Sequence, residues 1–145
     1  MPSNNMNIGR DCQVVIIHPL APGGRLDLQH VTGFDAKNAM ATAVSDRLDG
    51  KVLTAYLPKN WSGTFHIDRG NAVADQFNDA LEAAYFNGVN VPFGQVYQYI
   101  TEVDGSVSAY QFDDCSFMLG DPGSWKNDAL VKQTLTFAAS RRRKV

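Results

Sequence analysis

Charge is scarce in this chain. Only 19% of its 145 residues are Asp, Glu, Lys or Arg, where about a quarter is usual. Thirteen basic against fifteen acidic residues leave a net charge of −2, so the basic excess of a general nucleic-acid binder is missing. The two cysteines, Cys12 and Cys115, form no CxxC pair, and no histidine stands at zinc-finger spacing from them. They read as reduced thiols, with one disulfide as the open alternative. No run of about 18 apolar residues exists to span a membrane as a helix. The start, Met1-Pro2-Ser3-Asn4-Asn5, lacks a basic stretch followed by an apolar one, so no secretory leader is expected.

The sequence patterns of catalysis are missing too. There is no GxSxG, HExxH, P-loop or GxGxxG. Gly23-Gly24 precedes a strand-like run and cradles no phosphate. His18, His30 and His66 fall on three separate expected strands. Gathering them with Asp27 or Asp68 into a metal site is conceivable, but no close-spaced ligand pair requires it. Cys115 follows Asp113-Asp114, whose charges raise a thiol pKa and so disfavour a nucleophile. No enzyme and no cofactor are expected.

What is present reads as one β-rich domain over 1–145, long enough to fold without a staple, with a flexible or partner-ordered N-terminus at 1–11 and a basic tail at 141–145. Residues 13–18 form a β-branched run stopped by Pro19, and 26–34 alternate in polarity with a break at Gly33. The stretches 37–48 and 51–57 flank Asp49-Gly50, and 95–103 and 106–112 flank Asp104-Gly105. Both read as hairpins with type I′ turns. In the first arm Met40, Thr42, Val44, Asp46 and Leu48 share one face, and the small residues Ala39, Ala41, Ala43 and Ser45 the other. In the second hairpin Tyr97, Tyr99, Tyr110 and Phe112 would form one aromatic face. Its neighbours Gln95, Gln98, Glu102 and Asp113 favour cross-strand packing over a base-stacking platform. Pro58-Lys59-Asn60 predicts a turn before a strand at 61–67, whose alternation puts Trp61, Gly63, Phe65 and Ile67 together; 115–119 reads as a short strand, and 130–140 as a final one with Val131, Gln133, Leu135 and Phe137 on one side and Lys132, Thr134, Thr136 and Ser140 on the other. Val73, Phe77, Leu81, Ala84 and Tyr85 recur at helical spacing. Asn71 as N-cap and Gly88 as C′ bound a helix at 72–87. The expected fold is an antiparallel β-sandwich or partly closed barrel with one side helix and a long protruding hairpin.

Such a fold has strand edges to protect, and this sequence protects them poorly. The arm 37–45 carries one Lys and then no charge until Asp46; 130–140 carries Lys132 alone. Edges without charged or proline blockers invite pairing with other chains, and ring closure among copies removes them.

At this point the chain resembles the tail tube proteins of contractile-tailed bacteriophages, whose fold is shared with type VI secretion tubes. The stretches that carry the resemblance are 6–11 leading into the first strand, Val31-Thr32-Gly33-Phe34, the arm tip 45–51, 63–71 before the helix, and 131–140 with its basic end. The order of strands, long hairpin, helix, hairpin and final strand carries more of it than any one motif. The resemblance implies hexameric rings stacked into the inner tube of a virion tail, assembled in the host cytoplasm. It implies a sheath, a baseplate and a terminator as partners, no stable membrane insertion, and phage DNA passing through the lumen without specific binding. Four strands per subunit would then complete a shared barrel. The candidates for the lumen or inter-subunit strands are Thr42, Val44, Asp46, Arg47, Lys51, Lys132, Thr134, Thr136 and Ser140. A smooth wall must not hold phosphates, so Arg47 and Lys132 need partners, with Asp46 or Asp49 at hand. Arg141, Arg142, Arg143 and Lys144 are candidates for sheath or ring–ring contacts, beside the readings of a solvated tail and of a phosphate contact. The N-terminal residues and 19–27 are candidates for ring stacking. Other ring-forming tail, baseplate or secretion-tube components remain open, as does a small ligand-binding β-barrel.

Overall fold

The computed structural model describes residues 6–26, 28 and 31–145. His30 and Asp27, two of the metal-site candidates, and positions 1–5 of the expected loose N-terminus lie outside the described residues. From Gly9 to Asp11 the chain makes a 3-10 turn, in which the buried Asp11 accepts the Ile8 N–H at 2.9 Å.

Among the described residues eight strands and one α-helix follow: β1 Cys12–Ile17, β2 Arg25–Leu26, β3 Val31–Asp46, β4 Val52–Asp68, α1 Val73–Phe86, β5 Gly94–Thr101, β6 Val107–Asp121, β7 Lys132–Ala139 and β8 Arg141–Lys144. Every pairing is antiparallel, in the order β2-β1-β5-β6-β7-β4-β3, with β8 also on β6. The sheet does not close into a barrel. It folds over on itself as a sandwich.

The fold-over is a corner in two strands. β6 pairs β8 up to Asp113 and β5 as far as Cys115, then pairs β7 from Ser116. Between them Asp114 takes a left-handed backbone, φ 52°, a conformation that Asp tolerates better than most residues. On the neighbouring strand Ser140 separates β7 from β8. Its N–H and Oγ both donate to the Asp113 carbonyl, at 2.9 and 3.2 Å. The expected short strand at 115–119 is therefore the second half of one long bent strand.

Phe65, Phe112, Leu135, Val96 and Ile16 fill the space between the layers, with Phe34 and Trp61 against them. The alternation of β4 and β7 read from the sequence holds, since Phe65, Ile67, Gln133, Leu135 and Phe137 all point inward and are buried. Helix α1 closes one end. Ala74, Phe77 and Leu81 are buried, and Phe77 packs edge-on to His18 and Phe117 at 4.9 and 5.8 Å. Asn71 Oδ1 accepts the Val73 N–H at 3.2 Å. At the other terminus the Val89 and Gly88 N–H groups return to Ala84 and Tyr85, at 3.0 and 3.1 Å. With Gly88 at φ 75°, this is a Schellman stop.

Four further sequence expectations change. Neither Asp-Gly turn is type I′. That turn needs positive φ at both central residues, and only Gly50 and Gly105 have it. In each loop the glycine N–H returns three residues, to Arg47 or Glu102, and the pair Arg47 to Lys51 or Glu102 to Ser106 closes one residue further out. These are three-residue loops, a type I turn followed by a glycine bulge. The Asp side chains stabilise them by accepting the Lys51 and Ser106 N–H groups at 3.1 and 2.9 Å.

The added loop residue slips the second hairpin by one. Tyr110 therefore faces Gln98 and Phe112 faces Val96, and a slip of one reverses every face. The aromatic face divides in two. Phe112 enters the core, while Tyr97 and Tyr99 stack together at 6.5 Å on the outside.

Pro58-Lys59-Asn60 makes no turn. β4 runs straight through it, with a bulge where Ala39 pairs Asn60 and Met40 pairs Pro58. A bulge absorbs the proline's missing N–H. The break expected near Gly33 likewise becomes a register shift between Val31 and Gly33 at the start of β3.

Candidate assembly interface

The second layer is a four-stranded sheet, the latter half of β6 with β7, β4 and β3. Beyond the Trp61–Ala139 pair, β4 loses its β7 neighbour and β3 and β4 continue alone as an arm. From Ala39 to the tip at Asp49 the arm advances by ten residue steps, or about 33 Å at roughly 3.3 Å per residue. A lone two-stranded ribbon is marginal in water, and this one is apolar on both faces. Met40, Val44, Val52 and Tyr56 lie on the face continuous with the core. Leu53 and Leu57 lie on the other, and all six are at least half exposed. Among the described residues, the whole sixteen-residue β3 has a strand neighbour only on its β4 side.

The outer face of the four-stranded sheet is different in kind. Reading across the register, it carries Asp35, Thr64, Thr136 and Met118 in one row, then His66 and Thr134, then Asp68 and Lys132. Two polar pairs form on it. Lys132 Nζ lies 3.3 Å from Asp68, and His66 Nε2 lies 3.2 Å from Asp35. Lys37 has the same orientation as Asp35. The Thr136 hydroxyl donates to the Met118 carbonyl at 3.1 Å.

The sequence-derived candidates separate accordingly. Lys132, Thr134 and Thr136 sit on this polar face. Thr42, Val44 and Asp46 sit on the opposite, core-side face of the arm, so the two groups cannot line one wall. Ser140 serves the corner through Asp113 and Asp114. Arg47 and Lys51 sit at the arm tip. Arg47 Nη2 pairs with Asp49 at 3.1 Å, one of the two partners anticipated, whereas the partner of Lys132 is Asp68.

The basic C-terminus is not a solvated tail. Its residues pair in register with β6 from Asp113 to Tyr110. The Arg142 guanidinium lies 3.8 Å from the Tyr110 ring centroid and donates to Gln98 at 3.0 Å. It also covers Trp61 at 5.6 Å. Arg143 holds Asp113 through two hydrogen bonds, and that carboxylate raises the Arg143 pKa. Arg141 and Lys144 stay outward.

No catalytic arrangement forms among the described residues. His18 and His66 sit in different environments and no metal-binding cluster assembles. His18 is buried and built into the loops: Nδ1 accepts the Leu20 N–H and Nε2 donates to the Pro92 carbonyl, both at 3.1 Å. Burial lowers its pKa, and the Pro92 hydrogen bond opposes this in part. Burial also pushes the Cys115 thiol up to about 12, with Asp113 and Asp114 adding to it. Cys12 and Cys115 are both free thiols.

Sequence reasoning missed the apolar surface at Tyr85, Phe86, Val89, Val91 and Phe93, all exposed. The available signal was the charge-free run from 83 to 101.

The fold as a whole is similar to that of chains in contractile injection systems and in a tail tube. A chain of the PVC sheath–tube complex, an extracellular contractile injection system, superposes with a TM-score of 0.60 at 10% identity, over 92% of this chain and 88% of that one. A chain in the anti-feeding prophage tube-terminating cap gives 0.59 at 11%, over 100% and 95%. The SPP1 tail tube gives 0.57 at 14%, over 94% and 77%. At such identities the likeness is one of fold. No protein-family model and no curated protein sequence matches the chain.

Proposed function

We propose that this protein is a structural subunit that assembles into stacked hexameric rings, forming the inner tube of a contractile, phage-type tail. The observation that carries this reading is the arm, a ribbon with two apolar faces and an open edge that a single copy leaves uncovered. Copies adding side by side would extend the four-stranded sheet into a continuous wall. The polar face would turn to the lumen, with Lys132 neutralised by Asp68 and His66 hydrogen-bonded to Asp35. A wall of threonine on which Asp68 holds Lys132 offers few free cations, Lys37 among them, to hold phosphates by counterion release, which suits a conduit for DNA. A sheath, a baseplate and a terminator would be its partners in the virion, with assembly in the host cytoplasm. Arg141 and Lys144 are the outward cations available to a sheath or an adjacent ring. The 19–24 turn is available for ring stacking.

Negative-stain microscopy of the concentrated protein tests this. Hollow tubes with six-fold end views are expected. A species that stays monomeric by sedimentation at every concentration overturns it. The likeness to a chain in a tube-terminating cap favours a second reading, a single ring at the end of a tail. Discrete rings that never stack would select it.

A further inference from the structure

Helix α1 ends in an apolar surface that its own chain does not cover. The sequence stripe continues past Leu81 to Tyr85, but burial stops at Leu81, and Tyr85 and Phe86 are 69% and 78% exposed. The following loop adds Val89, Val91 and Phe93, the last 61% exposed. No charge occurs from 83 to 101.

The register places this surface relative to the arm. In the four-stranded sheet β3 forms one lateral margin and the latter half of β6 the other. Helix α1 is fixed to the β6 margin, where Asn78 Oδ1 accepts the Leu119 N–H at 3.2 Å. Its first turn lies at Gln133, which donates to Asp75 at 3.2 Å. From there the helix advances past Leu119 towards the Ser116 level, and Ser116 lies across from Ala138 and Ser62, at the root of the arm. The apolar end of α1 and the arm root therefore stand at one height, on opposite margins.

We infer that the surface at Tyr85, Phe86, Val89, Val91 and Phe93 is the seat for the arm of a second copy of this chain. This rests on the self-assembling reading and names a contact within it. Head-to-tail addition needs two different, complementary patches on each copy. Copies added margin to margin bring the β3 side of one against the α1 side of the next. The arm offers the match: Met40, Val44, Val52 and Tyr56 on one face, with no charge between Lys37 and Asp46 or between Lys51 and Lys59. Two uncharged apolar surfaces exclude a charged partner and lose nothing by desolvation against each other.

Disulfide trapping in the assembled protein tests the pairing. On a Cys12→Ser background the remaining thiol, Cys115, is buried and unreactive. Met40, the large exposed apolar arm residue nearest the root, supplies the partner: Met40→Cys and Phe93→Cys variants are mixed, assembled and oxidised. A covalent dimer is expected from the mixture and from neither variant alone. A dimer from Met40→Cys alone means arm meets arm and overturns the inference, as does an assembled mixture with no cross-link. In parallel, Phe86→Glu should raise the concentration needed for assembly at least tenfold, with an unchanged circular dichroism spectrum. Leu130→Glu, equally exposed at 71% but outside the patch, should not. Wild-type-like assembly of Phe86→Glu overturns this contact while leaving the tube reading intact. Wild-type protein that never assembles removes both.

Discussion

At the scale of single residues, two side chains tie separate segments together. His18 bridges the loop after β1 to the loop before β5, and its neutral form satisfies both ring nitrogens. Protonation would turn Nδ1 into a donor facing the Leu20 N–H. Because burial holds the pKa below the ordinary value of 6.5, the unfolded chain takes up the proton first as pH falls. The stability tied to neutral His18 is therefore fully present above about pH 6.5. It declines below that value until the folded protein also protonates. Thermal melts of the monomer should show this loss on acidification. His18→Gln keeps an acceptor and a donor, so it should lack this component while being roughly 1–3 kcal/mol less stable throughout. A wild-type curve that matches the variant's slope would show that His18 does not titrate there. The second such residue is Arg142, which lies over Tyr110 and bonds Gln98. Arg142→Ala should lose roughly 1–2 kcal/mol in denaturant titration. Arg141→Ala, which points outward one position earlier, should change little. Equal effects would mean that the strand pairing of β8, not the Arg142 side chain, carries the stability.

At the scale of elements, the loops decide faces. The glycine bulges at Gly50 and Gly105, φ 87° and 93°, set the register of both hairpins. Gly105→Ala puts a Cβ into a left-handed backbone and should cost about 1–2 kcal/mol. Gly50→Ala strains the free arm tip, which contacts no other part of the described chain, so the monomer's melting should move less than with Gly105→Ala. Equal shifts would mean that the arm folds cooperatively with the body. The helix was legible in the sequence because Phe77 and Leu81 mark its period and Gly88 its end. The arm's continuity through Pro58 was not, since a proline reads as a turn unless a bulge elsewhere absorbs it. The split of Tyr97 and Tyr99 from Tyr110 and Phe112 was hidden for a related reason. Asp-Gly fits both a two-residue and a three-residue loop, and one residue of difference inverts the pattern.

At the scale of the whole molecule, the sandwich sorts polar from apolar surface on opposite sides of one sheet. If the face with Thr134 and Thr136 lines a lumen, Thr136→Lys adds one cation per subunit to the wall. Tubes of this variant should retain DNA at low salt in a nuclease-protected form. The retention should fall steeply as salt rises, and wild-type tubes should show none. Retained DNA that nuclease digests freely would put this face on the outside.

The sequence by itself determined where most of the extended runs lie, the helix, and the alternation that hides Phe65, Leu135 and Phe137, because period and capping are local properties of the chain. It also determined that the arm carries little charge. Only the tertiary structure decided which faces look the same way. That depends on loop length, on the bend at Asp114 and Ser140, and on the bulge at Pro58, each a backbone event of one residue. The same holds for Arg142 and Arg143, which a linear reading places in a solvated tail. Their partners Tyr110 and Asp113 lie some thirty residues away, and only the folded sheet brings them within reach.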